Sequence, residues 1–303
     1  MRKTIPRRQA RLTAGPRRPD NRRLFRHLPR PVMHASPLPA DLFDAAEHCL
    51  ACAEPAAKAA ATVEVARRWR AGELTLQSDG EAAPIGEPGR PARPELVAPR
   101  DLPRRGLGSA EGHAALIHAI AHIEFNAINL AWDAVYRFRD LPRAFYDDWV
   151  QVADEEAYHF GLVRDHLREL GFDYGDFPAH NGLWEMAQKT AGDALLRMAL
   201  VPRVLEARGL DVTPGIMRRL AAQGDEAAVA VLAVILRDEV GHVAIGTRWF
   251  HHLCAARDLP PEETFRRLFD QYMSGRASGP LHRSARRRAG FSEDELNFLE
   301  GVG

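Results

Sequence analysis

Two Glu-x-x-His pairs, Glu156–His159 and Glu239–His242, constrain this chain more than any other feature, because each follows an isolated glutamate at nearly the same distance. Glu124 precedes Glu156 by 32 residues, and Glu206 precedes Glu239 by 33, as though one pair of helices had been used twice. Residues three apart share one face of a helix, so the glutamate and histidine of each pair can grasp one ion. The lone glutamates and the pairs sit on apolar stripes: Leu195, Ala199, Pro202 and Glu206 share one, and Leu232, Ile235, Glu239, His242 and Gly246 approximately share another. A carboxylate on such a stripe is buried, which is strongly unfavourable unless it is paired or bound to a metal. Four glutamates and two divalent cations sum to zero charge. A Glu from each of two helices and a Glu-x-x-His from each of two others is the ligand set of di-iron and di-manganese carboxylate proteins. The expected metal ligands are Glu124, Glu156, His159, Glu206, Glu239 and His242. One such pair arises by chance in a charged helix; six residues at matched intervals are a different matter.

Glu155 and Asp238 directly precede the two pair glutamates, and a ligating histidine usually donates its second ring N–H to a carboxylate. Each is expected to support the histidine of the opposite pair, solvated carboxylates being the rival reading. His118 and His122 are also spaced for joint ligation. At about 100° per residue, however, they point away from Glu124 and read as surface or packing histidines. Trp132, Tyr136, Tyr158 and Trp249 read as core before pocket lining. Ala121, Ala127, Ala131, Gly241 and Gly246 either leave room for oxygen or substrate or permit close helix packing.

Periodicity makes the chain all-α. Residues 40–70 read as one or two helices broken near Pro55, and 72–109 as a long Pro/Gly-rich covering segment. The main helices are expected over Ala110–Phe138, Pro142–Leu170, Leu183–Ala207 with a kink at Pro202 and an end at Gly209, and from after Asp225 to about Arg257. A short helix after Thr213-Pro214, another from near Pro261, and an Arg-rich tail complete the reading. It divides the chain into a basic extension (1–32), N-terminal helices with the extended segment (33–108), a helical bundle (109–280) and a C-terminal tail (281–303).

The net charge of zero hides an asymmetry: residues 1–30 carry eleven Lys/Arg and one acidic residue, leaving 30 basic against 40 acidic residues in the remainder. The extension is expected to be disordered, and reads as translated sequence upstream of a start at Met33 ahead of a transit-like or nucleic-acid-binding arm. No stretch of about 18 uninterrupted apolar residues marks a membrane span, and no apolar run with a cleavage site marks secretion, so the cytoplasm is the default. Three cysteines are too few for a disulfide framework. Cys49 and Cys52 form a lone Cys-x-x-Cys that reads as packed or exposed thiols before zinc or redox, and Cys254 has no sequence partner.

Residues 118–128 (HAIAHIEFNAI), 154–160 (DEEAYHF), 205–211 (LEARGLD) and 237–242 (RDEVGH) resemble the bacterial ferritin-like family of domain of unknown function 455, as does 103–109 (PRRGLGS). The similarity runs from about Leu38 to near residue 280. It implies a ferritin-like four-helix bundle and the same six ligands, but no reaction. In that superfamily's oxygenases an acidic residue often precedes the Glu-x-x-His glutamate, as Asp238 does here; Glu155 is a longer variant. The expected cofactor is two iron ions, with manganese as the alternative. The expected function is an oxidoreductase using oxygen or peroxide on an unidentified small organic molecule, with an electron donor as partner. Ferroxidase or iron handling is the alternative. An RNA-associated modifying protein, recognising RNA through the basic arm and Arg283–Arg288, is the lesser one. A homodimer is left open.

Overall fold

Helix caps written in the sequence set the element boundaries. A computed structural model describes residues 38–77, 82–103, 106–273 and 279–301. The basic extension and Met33 lie outside the described residues. The described residues are helical, with two isolated β-bridges and no strand among them. They belong to one compact unit, Leu38–Gly303.

Asp41 caps α1 (Leu42–Ala51) by accepting from the Phe43 N–H, and Glu54 with Pro55 at the first position opens α2 (Pro55–Arg70). Lys58 is fully buried and donates to the carbonyls of Cys49 and Leu50, satisfying orphan acceptors at the end of α1. Ser109 caps α3 (Ala110–Arg137), whose side chain accepts from the Gly112 N–H. After Pro142 comes α4 (Arg143–Glu169). α3 and α4 pack along one another, α1 covers α3, and α2 covers α4. By length and composition α3 could cross a membrane, but 78% of its most apolar stretch is buried within the protein, where it supplies the central core helix.

The third expected helix is not continuous. It divides into α5 (Gly182–Lys189), α6 (Ala194–Leu200), a π-helical segment (Val201–Glu206) and α7 (Ala207–Ala221). Asp193 starts α6 by accepting from the Leu195 N–H, breaking the helix where the sequence reading continues it. Gly209 ends nothing, and Pro214 lies inside α7 rather than before a new helix. The π segment gives Pro202 a place in a continuing helical stretch, because wider i→i+5 bonding absorbs the lost proline N–H. α8 (Glu226–Ala256) starts at Asp225 and packs against α4, α6, α7 and the π segment; α9 (Pro261–Tyr272) follows.

The extended segment is draped over the helices, as read from its prolines and glycines. Val97 N–H donates to the Ala179 carbonyl at 2.8 Å, and the Gly86 carbonyl accepts from the Trp184 indole at 2.8 Å. Gly89 approaches α1 so closely that a Cβ there would lie 2.2 Å from the Ala51 carbonyl oxygen.

Residues 281–301 correct the expected tail. They hold α10 (Arg283–Arg288) and α11 (Glu293–Glu300), the latter opened by a capping box between Ser292 and Glu295. Arg286 is buried and pairs with Asp211 at 2.7 Å, while Arg283 and Arg287 pair with Glu293. Most of this arginine cluster is thus neutralised within the fold rather than offered as a basic patch.

Gly246 resolves one choice left by the sequence. A Cβ on it would lie 2.3 Å from Pro202 Cγ, so it permits α8 to close on the π segment. Gly241 has nothing within 4 Å of a Cβ position and is spatially open. Gly246→Ala overpacks this contact and should lower unfolding stability by about 1–3 kcal/mol in urea titration, whereas Gly241→Ala should not destabilise.

Candidate metal centre

α3, α4 and α8 bring four of the six expected ligands together directly. Ligand atoms of Glu124, Glu156, His159 and Glu239 all lie within 4.8 Å of one another. Glu156 stands between the two histidines: its Oε1 is 2.9 Å from His242 Nδ1, and its Oε2 is 3.4 Å from His159 Nδ1. Glu124 Oε2 is 3.5 Å from the same His159 nitrogen, and Glu239 Oε1 is 3.3 Å from His242 Nδ1. The fifth residue, His242, therefore joins through Glu156 and Glu239.

Glu206 stands apart from this group, at the last position of the π segment. It remains close enough to Glu239 and Glu156 for their charges to act on it. Arg197, which the sequence reading did not single out, also acts on Glu206. Arg197 is buried and held by Asp133 at 2.6 Å and by the Ala187 carbonyl at 2.6 Å. An arginine on the apolar face of α6 was the available signal.

Outer carboxylates meet the histidines crosswise. His242 Nε2 donates to Glu155 Oε2 at 2.7 Å, and His159 Nε2 faces Asp238 Oδ2 at 3.3 Å. Gln151 donates to Glu155, and Arg237 donates to Asp238. Both imidazoles therefore direct Nε2 outward to a carboxylate and Nδ1 inward to the glutamates. That orientation fixes the N–H on Nε2 and leaves Nδ1 as the atom able to ligate. Replacing Asp238 by Asn should weaken metal binding about 10–100-fold while preserving the fold. Competition with a fluorescent chelator, alongside far-UV circular dichroism, measures both.

The donor set fits a metal on its own chemistry. Glu124 Oε2, Glu156 Oε2, His159 Nδ1 and Glu206 Oε2 are buried without a hydrogen-bond partner. Three of these atoms, on Glu124, Glu156 and His159, lie around one point, which is costly in a protein interior unless a cation gathers them. Protons carry that task without metal. Burial, followed by the charges of Glu239 and Glu156, pushes the Glu206 carboxyl from 4.5 up to about 8. Burial raises Glu124 and Glu239 as well. His159 and His242 overcome burial through their carboxylate partners and are held well above the ordinary imidazole value. Glu156 is lowered despite burial, because both histidines face it.

The sign of the pH dependence follows. A carboxyl whose folded pKa is raised binds more protons folded than unfolded, so stability falls as pH rises between its two values. For Glu206 that window runs from about 4.5 to about 8. Metal must displace these protons, so its apparent affinity should climb with pH across the same window. Isothermal titration in two buffers of different ionisation enthalpy should read net proton release.

The other expected residues fall elsewhere. His118 and His122 are buried, so the surface alternative is excluded and the packing one holds. His118 Nε2 accepts from the Gly175 N–H, and His122 bonds the Tyr174 hydroxyl and the His180 carbonyl, tying the 171–181 loop to α3. Trp132, Tyr136 and Trp249 are buried core residues; Tyr158 is half-buried beside His159. Cys49, Cys52 and Cys254 are free thiols. Burial pushes Cys49 up to about 12, and neither Cys49 nor Cys52 joins a metal-type cluster among the described residues.

Comparison with known proteins adds the family. The family described as “Protein of unknown function (DUF455)” matches residues 51–297. This chain belongs to it. The match starts later and ends later than the similarity read from the sequence, and it includes every residue of the candidate centre. The DUF455 unit therefore takes in α10 and most of α11. An uncharacterized protein of Haemophilus influenzae is 52% identical over 219 residues, covering 70% of this chain and 76% of the relative. No solved structure matches.

Proposed function

We propose that this DUF455 protein is a ferritin-like four-helix bundle that holds two iron ions, with manganese as the alternative, and oxidises a small organic substrate. The observation that carries this reading is Glu156, whose two oxygens face different histidines, each backed by its own outer carboxylate. Glu124 contacts His159 and Glu239 contacts His242, and Glu206 is near enough to Glu239 and Glu156 for their charges to act on it. Bound iron would supply the electrons for reaction with oxygen or peroxide.

The chain's own residues do the rest. Glutamates suit changing metal charge because a carboxylate can bind through one oxygen or two. Asp238 and Glu155 hold the imidazole tautomers, so neither histidine needs to reorient. Phe125, Phe160, Leu232 and Ile235 are buried on the bundle helices and favour a dry interior. Gly241, on α8 between Glu239 and His242, is exposed and faces solvent rather than the ligands.

Oxygen uptake by anaerobically Fe(II)-loaded protein tests the reading. The expected outcome is a short stoichiometric burst alone, then sustained turnover when reductant and a small-molecule extract are added together, with ¹⁸O₂ label in an organic product. Continued Fe(II) oxidation that builds a mineral, without organic product, would instead establish iron handling.

A further inference from the structure

A second cluster of metal-ligating side chains lies where α3 begins, α4 ends and α8 starts. His113 is in the first turn of α3, His166 in the last turn of α4, and Asp225 is the cap of α8. His113 Nε2 is 2.7 Å from Asp225 Oδ2, and His166 Nε2 is 2.9 Å from that same oxygen. The other oxygen, Oδ1, accepts from the Ala228 N–H at 2.8 Å, so helix capping fixes the carboxylate's orientation. Burial favours a protonated Asp225, but the Ala228 N–H and the two imidazoles outweigh it and hold the carboxyl ionised. The ligand atoms of all three residues lie within 4.8 Å of one another.

We propose that His113, His166 and Asp225 bind one divalent transition-metal ion of the zinc or cobalt type, at a site separate from the glutamate-rich centre. His166 follows His159 by seven residues on α4, which puts the two sites about 10 Å apart along the helix. Two imidazoles and one carboxylate form a borderline nitrogen–oxygen set that suits Zn(II), Co(II) or Fe(II) over Mg(II) or Ca(II). Three protein ligands leave a fourth position for water or another small ligand.

The far side of His166 favours a metal over hydrogen bonds alone. Its Nδ1 is buried and makes no hydrogen bond, while Glu169 Oε2 lies 3.5 Å away. A neutral His166 donating Nε2–H to Asp225 turns the Nδ1 lone pair toward the Glu169 carboxylate, which is repulsive. A metal on Nε2 moves the proton to Nδ1, where it faces Glu169 in the orientation outer carboxylates take behind ligating histidines. The His113 and Asp225 side chains keep 15% and 10% of their surface exposed, which gives an ion access from solvent. The bound ion would cross-link α3, α4 and α8, the helices that carry five of the six residues of the glutamate-rich centre.

Zinc titration of the full-length, metal-stripped chain carrying Glu156→Ala tests the proposal, because that background weakens the other centre. One equivalent should bind, and adding His113→Gln, His166→Gln or Asp225→Asn should weaken it at least 100-fold. Asparagine still caps helices, so Asp225→Asn keeps the fold while removing the charge. Substituting Co(II) should give visible d–d absorption that the His166→Gln change removes. His252→Gln, at an exposed histidine, serves as the control and should change nothing. No zinc bound in the Glu156→Ala background, or binding unaffected by His113→Gln and Asp225→Asn, would overturn the site and mark the triad as proton-bound. Failure of Glu156→Ala to weaken the other centre leaves this readout intact, since it is the loss caused by the histidine and Asp225 changes.

Discussion

Replacing Glu156 by alanine should lower affinity for both of the proposed metal ions at the glutamate-rich centre by more than about 100-fold, beyond what loss of an outer partner costs. No other residue in the centre faces both histidines, one through each carboxylate oxygen. Its loss strips His159 and His242 of their shared partner, so the two halves fail together. Glu124→Ala should act differently, because its carboxylate contacts His159. It should weaken one ion more than the other. Calorimetric iron titration under anaerobic conditions distinguishes a joint loss from a single one, and the His113–His166–Asp225 cluster should be untouched by either change.

Glu295→Ala should be the most destabilising single substitution in the C-terminal helices, costing about 3–5 kcal/mol in chemical denaturation. Arg203 is fully buried and donates to Glu295 Oε1 at 2.7 Å. Phe250, Phe265 and Phe291 surround its guanidinium at 4.3–4.6 Å from their ring centres, so losing Glu295 leaves a buried charge with no carboxylate partner. Burial already opposes this charge. Adding Arg203→Met to Glu295→Ala should recover much of the loss, since apolar replacement of a buried pair is often neutral. Arg203 lies in the π segment three residues before Glu206, so this pair also anchors the turn that presents Glu206.

The sequence carried α3, α4 and α8 because each has a long apolar stripe, an N-terminal cap or preceding proline, and a clear stop. It also carried the crosswise orientation of Glu155 and Asp238 toward the opposite histidines, which follows once two Glu-x-x-His helices face each other. The π segment was not legible. Pro202 signals a disturbance, but whether the chain kinks or widens depends on how α8 packs, and there Gly246 decides. The break at Thr190–Asp193 was masked by helix-forming neighbours. The tail was misread because Arg203–Glu295 and Arg286–Asp211 join residues 92 and 75 positions apart. Arginine-rich composition resembles a solvated tail until its distant partners are known. His113 and His166 went unnoticed for the same reason: their shared carboxylate, Asp225, reads locally as a helix cap alone.

Diffraction from Fe(II)-loaded crystals on both sides of the iron absorption edge would show whether iron sits at Glu156, because it locates iron rather than counting it. Two anomalous peaks should flank Glu156, one beside His159 Nδ1 and one beside His242 Nδ1. Iron-loaded crystals with no peak next to Glu156, and with His159 and His242 still bonded only to carboxylates, would contradict the proposed two-iron centre.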